Sequence, residues 1–297
     1  CSAQVFELIT PEDVRHLRRE RPENVVTLFT QATAQLCQIV HTPVPMYFGQ
    51  ALNCMLAASR RVVVPSTRVH RTMPWVVSFS ILRPFDAPRR HAQTLVPTMR
   101  QENKLGHNSF AMCFMQGGGT MALGGVDTRI HKEPMQFVPL AKNSGWFTVQ
   151  LKDVLLNGKS IGVPESTWNT GKGTIVDSGT TDTYLPRRAA EQFKRAWHAA
   201  MGPSPKYANS KLAYTAAQAA KFPTITYVFA GGVKVDVEGK AYMEKAGAGR
   251  WVPRVYLTEA SGTVLGANFM EDHDCFFDAE RRRVGFARAD CDYHRSP

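Results

Sequence analysis

The chain has 297 residues, room for one large domain or two of medium size, and its 43% hydrophobic and 10% aromatic content excludes intrinsic disorder. A formal net charge of +11 raises the question of nucleic acid or an anionic surface. The basic residues, however, scatter as pairs and one triplet, Arg281-Arg282-Arg283, without interleaved aromatics, which reads as a solvated surface and speaks against nucleic acid.

No apolar run approaches the ~20 residues that a membrane helix needs, so no membrane segment is expected within the chain. The sequence begins at Cys1 without an initiator Met and shows no signal-peptide pattern, as a processed or incomplete sequence would. The six cysteines (Cys1, Cys37, Cys54, Cys113, Cys275, Cys291) are too widely spaced for a small disulfide scaffold. None forms a C-x-x-C pair, which argues against zinc and thioredoxin-type chemistry.

Along the chain, residues 1–92 read as a divergent, partly helical region. Thr10 is the expected N-cap of a helix, with Pro11 at its first position and Glu12 and Asp13 in its first turn, running to about Arg21. A second helical piece is expected over residues 24–40. From residue 25 to residue 85 there is no Asp or Glu at all.

Residues 93–297 change texture. Short β-branched and aromatic runs at 110–114, 119–123, 146–151 and 154–156 predict strands, with turns at the glycines around 117–119 and 124–125. Those glycines are no phosphate cradle, because no Lys-Ser/Thr follows and no helix opens there. Asn157-Gly158 predicts a hairpin turn. Pro186 and Gly202 bracket a helix with Ala190, Phe193, Trp197 and Met201 on one face. Further strands are expected at 224–229, 233–237, 252–257, 262–265, 275–278 and 284–287. The fold class is therefore mainly β, mostly antiparallel, with a few short helices.

One segment carries chemistry. In Gly173-Thr-Ile-Val-Asp177-Ser178-Gly179-Thr180-Thr181 an apolar strand delivers an acid into a turn of Ser, Gly and Thr. A carboxylate at the end of a buried strand depends strongly on its hydrogen bonds and neighbouring charges. Ser178 and Thr180 supply hydroxyls, and Gly179 lets backbone N–H groups approach. On Asp-Ser-Gly alone, an Asx-turn that merely ends a strand is the stronger reading.

The longer context outweighs it. Residues 174–186, TIVDSGTTDTYLP, resemble the second active-site motif of pepsin-family aspartic peptidases, nearest to the beta-secretase-like and plant or protist branches. The likeness continues in order through the half. It includes FAMCFMQGGGTMALGGVD at 110–127, Phe137-Val138-Pro139-Leu140, residues 146–158, Phe222-Pro223-Thr224-Ile225, Val264-Leu265-Gly266, and the F-D to V-G-F element from Phe277 to Phe286.

That resemblance implies a pepsin-like C-terminal lobe over 93–297 and an aspartic endopeptidase acting on peptides or proteins. Asp177 would be the second catalytic carboxylate, with Ser178, Gly179 and Thr180 supporting its loop and Gly266 allowing close packing beneath it. Cys113 and Cys291 would form a disulfide, which implies the secretory route, extracellular or vacuolar/lysosomal, with any membrane anchor lying outside this chain. The resemblance names no partner for Cys275. The family's chemistry uses a shared proton and an activated water, and calls for no cofactor and no metal.

The sequence departs from the family in its first third. No first D-T/S-G motif and no flap hairpin appear, and the acid-free stretch at 25–85 offers no carboxylate. Tyr47-Phe48-Gly49 and residues 75–80, WVVSFS, are only weak echoes of a first lobe, consistent with one that is truncated or altered. The alternative function is a catalytically inactive pepsin-like protein that binds peptides or proteins. A third reading, a dyad completed by two copies, fits least well with a surface shaped for another lobe. Residues 271–274, Glu-Asp-His-Asp, read as an exposed loop and not as a cation site. No G-x-S-x-G elbow supports serine hydrolysis.

Overall fold

A computed structural model describes residues 4–8, 95–115, 118–142 and 145–293. The helices expected at 10–21 and 24–40 lie outside these residues. The described residues form four mainly antiparallel sheets joined by short helices, as the strand-rich reading of 93–297 leads one to expect. Among them, no helix is long and apolar enough to cross a membrane.

The largest sheet runs in the order β1 (Gln4–Leu8), β3 (Gly118–Leu123), β2 (Ser109–Met115), β17 (His273–Asp278), β18 (Arg283–Arg288), β4 (Gln136–Pro139). Every neighbouring pair in it is antiparallel. Side chains alternate across it with period two. Phe110, Met112, Met121, Leu123, Phe277, Val284 and Phe286 join the main core, while Ala111, Ala122 and Phe276 form a separate small cluster on the other face. The strand β1 is a finding that the sequence reading does not contain, since it places strands only beyond residue 93.

A five-stranded sheet runs β15 (Val255–Glu259), β9 (Thr183–Pro186), β16 (Thr263–Leu265), β8 (Thr174–Val176), β5 (Thr148–Val149). Two of its contacts are parallel, β8 with β16 and β9 with β15. A four-stranded sheet orders β12 (Lys234–Val237), β11 (Ile225–Phe229), β6 (Leu151–Leu156) and β7 (Lys159–Ser160). A three-stranded one orders β10 (Leu212–Ala213), β14 (Arg250–Pro253) and β13 (Met243–Lys245).

Local chemistry accounts for the joints. Asn157 and Gly158 both take positive φ, 46° and 75°, so the turn follows the twist of β6 and β7, and Leu156 pairs with Lys159 across it. In the helix Ala190–Met201, Phe193 and Trp197 are fully buried one turn apart. Each contributes about 2–3 kcal/mol of transfer free energy. The helix begins later than Pro186 predicts, because Pro186 still pairs with Glu259 in the sheet and keeps an extended ψ of 136°.

Two expected strands prove to be double. The run at 146–151 breaks at Gln150, where the chain passes from β8 in one sheet to β11 in another. The run at 252–257 breaks at Arg254, whose N–H donates to Tyr242 O at 2.7 Å as the chain leaves the three-stranded sheet. In both cases the hydrophobic alternation continues while the hydrogen-bonding partner changes. Cys113 and Cys291 are joined by a disulfide spanning 178 residues, which ties the end of the described chain to β2.

Candidate active site

The site is built by two parallel strands that end side by side. β8 and β16 pair Thr174 with Thr263, Ile175 with Val264 and Val176 with Leu265. All six residues are buried, and Val176 and Leu265 anchor the two strand ends in the main core. The next residues are Asp177 and Gly266, and the Asp177 N–H donates to Leu265 O at 2.9 Å.

At that point the Asp177 carboxylate emerges half-buried. Its Oδ1 accepts from the Gly179 N–H at 2.9 Å, and its Oδ2 accepts from the Thr180 hydroxyl at 2.7 Å. The Thr180 N–H closes the turn on Asp177 O at 3.2 Å. Donors to both oxygens hold the carboxylate in one orientation. Ser178 is half-buried beside it.

Gly266 must be glycine for reasons of space. Its φ of −86° is open to any residue, but a Cβ there would lie 2.2 Å from Asp182 O and 2.6 Å from Thr180 O. The same approach lets the Ala267 N–H donate to Thr180 O at 2.7 Å and the Asn268 N–H to Thr181 O at 3.1 Å. The structure thus brings Asp177, Ser178, Gly179, Thr180 and Gly266 together. Cys113 and Cys291 lie elsewhere, at the disulfide.

Sequence reasoning missed a charged cluster just behind the loop. Asp182 is buried and meets Arg254 Nε at 3.1 Å, while Glu244 approaches the same nitrogen at 3.3 Å. Burial pushes the Asp182 carboxyl up from its ordinary pKa, and Arg254 opposes that rise. The Thr183 hydroxyl donates to Asn268 Oδ1 at 2.7 Å, and Asn268 Nδ2 donates to Arg254 O at 2.9 Å. Tyr184 and Tyr256 stack alongside, ring centroids 5.0 Å apart. The position of Asp182 within TIVDSGTTDTYLP was the available signal. Nothing local pointed to Arg254.

Residues 271–274 are not the exposed loop expected of them. His273 and Asp274 are buried in β17, because that strand begins two residues earlier than its apolar run suggests. Asp274 Oδ2 meets His131 Nε2 at 2.7 Å, Asp272 pairs with Lys240 at 2.6 Å, and the His273 ring contacts Glu271 O. Asp272, His273 and Asp274 thus have separate partners, and among the described residues no cluster of His, Cys, Asp or Glu is placed to hold a metal. Cys275 is buried with a free thiol.

The family pattern described as eukaryotic aspartyl protease matches residues 85–289. The chain is 28% identical over 200 residues to a beta-secretase of Strongylocentrotus purpuratus, covering 58% of this chain and 36% of that protein. It is 27% identical over 176 residues to pregnancy-associated glycoprotein 1 of Bos taurus, covering 58% and 43%. It is 25% identical over 203 residues to pepsin B of Canis lupus familiaris, covering 65% and 50%. The chain thus spans no more than half the length of these curated relatives.

Proposed function

The chain belongs to the eukaryotic aspartyl protease family, and from that membership we propose that it carries the second half of an aspartic endopeptidase with Asp177 as one carboxylate of the dyad. The observation that carries this reading is the Asp177 carboxylate itself. It stands at the end of a buried strand with one oxygen on the Gly179 N–H and the other on the Thr180 hydroxyl.

Two carboxylates brought close together share a proton, because both cannot ionise at once without strong repulsion. The ionised partner takes a proton from a water held between them as that water attacks the scissile carbonyl, and the protonated partner donates to the carbonyl oxygen. Gly266 lets β16 lie directly under the loop, so the backbone that carries Asp177 is fixed from below. Peptides or proteins are the substrate class. The Cys113–Cys291 disulfide supports an oxidising, secretory-route compartment.

A second reading, a peptide-binding relative without activity, is favoured by the absence of Asp and Glu between residues 25 and 85. The deciding experiment is digestion of a mixed peptide library between about pH 3 and 7, a window that brackets the upper apparent pKa of a proton-sharing dyad, roughly 5, with an Asp177→Asn control. Cleavage that vanishes in the control supports the peptidase. Cleavage that persists overturns the role of Asp177, and a folded chain that retains peptides uncut favours the second reading.

A further inference from the structure

On the outer face of the six-stranded sheet, remote in sequence from the Asp177 loop, lies a hollow of about 520 Å³. That volume falls within the range of sites for small organic ligands, roughly 300–1,000 Å³. Ser109, Arg283, Phe276 and Phe137 in its lining belong to two rows that cross the strands. One row is polar: Ser109 on β2 pairs with Asp278 on β17, which pairs with Arg283 on β18. The adjoining row is apolar: Ala111 pairs with Phe276, Phe276 with Gly285, and Gly285 with Phe137 on β4. Met135 reaches over this second row, and its sulfur would touch a Cβ at Gly285 at 2.4 Å.

The polar row is unsatisfied in two respects. Ser109, 1% exposed, lies in the wall of the hollow, and its hydroxyl has no hydrogen-bond partner among the described residues. Buried hydroxyls are ordinarily paired, so an orphan in a cavity wall marks a place for a ligand atom. In addition, two guanidinium groups converge on one carboxylate. Asp278, fully buried, accepts from Arg283 Nε at 2.9 Å and is approached by Arg281 Nη1 at only 3.4 Å. Arg283 is further held over the Phe137 ring, 3.7 Å from its centroid. Arg281, 55% exposed at the rim, is left with free N–H donors. The acid on the opposite wall, Glu133, is turned to the Arg288 N–H at 3.1 Å.

From this arrangement we propose that the hollow binds a small amphipathic monocarboxylate. Its apolar body lies against Phe276, Phe137 and Met135, and its carboxylate meets Arg281 with the Ser109 hydroxyl donating to it. The site is independent of the proposed peptidase function and uses none of its residues.

The test is titration calorimetry of the chain with octanoate, and with octan-1-ol as a neutral probe of equal length. One saturable octanoate site is expected, with octanol at least tenfold weaker and Arg281→Gln weakening octanoate about tenfold, as loss of a charge-assisted bond would. Thr128→Trp, an exposed wall position, should abolish binding while circular dichroism stays unchanged. Asp177→Asn should leave octanoate binding intact. The proposal is overturned if octanoate gives no saturable heat, or if octanol binds as well. It is equally overturned if folded Thr128→Trp still binds, or if Asp177→Asn removes binding and so places the ligand in the peptidase cleft.

Discussion

The Thr180 hydroxyl donates to Asp177 Oδ2 at 2.7 Å from three residues further along the same turn. If Asp177 is a catalytic carboxylate, Thr180→Val should leave the chain folded and lower kcat/KM about ten- to a hundredfold, the usual loss for one oriented hydrogen bond to a charged group. Thr180→Ser should restore most of it. Unchanged cleavage by a folded Thr180→Val chain would count against the assigned geometry.

Gly266→Ala tests the packing beneath the site independently of activity. A methyl at that Cβ meets two backbone carbonyl oxygens, which cannot rotate away as a side chain does. Overpacking of this kind costs typically about 1–3 kcal/mol and more where backbone must move, so urea unfolding should show a loss of at least ~3 kcal/mol. A loss below ~1 kcal/mol would show that β16 can draw back from the loop.

Breaking the Cys113–Cys291 bridge by a double Cys→Ala substitution should cost about 2–5 kcal/mol, chiefly through the freedom regained by the unfolded chain. Equilibrium denaturation under identical conditions measures it. An effect near zero would mean that this terminus is held by packing alone.

Stability should also fall as pH rises through the neutral range. Burial pushes the Glu271 carboxyl up to about 7, with Asp272 adding to the rise and Lys240 opposing it. Because the folded pKa lies above the unfolded one, the protonated form is favoured by folding, and its stabilisation is complete below about pH 4.5 and lost as pH climbs through 7. The change is on the order of 3 kcal/mol. Glu271→Gln should flatten the profile from pH 5 to 8 and be the more stable chain at the upper end. A parent and variant that run parallel would refute the cause.

What was legible in advance followed from the range of each interaction. Asp177, Gly179 and Thr180 sit within one turn, so their hydrogen bonds follow from a short motif, and Asn157-Gly158 names its own turn through positive φ. The Asp182–Arg254 pair joins residues 72 apart and has no local signature. The breaks at Gln150 and Arg254 escaped notice because side-chain alternation is blind to which sheet a strand joins. Ser109 lies outside the strand expected at 110–114, and only the cross-strand register sets it beside Asp278. The Cys113–Cys291 pairing was readable only through resemblance to a family.

The place of β1 has a consequence for how the protein is made. Gln4–Leu8 leaves the ribosome well before its partner Gly118–Leu123, with which it pairs from Gln4↔Leu123 to Leu8↔Gly119. At translation speeds of about 5–20 residues per second that wait lasts roughly 5–20 s. Until then its backbone groups have no ladder to join, and β2 must wait longer still for β17. Among the described sheets, the six-stranded one is therefore the last to be completed, once β17 and β18 have emerged.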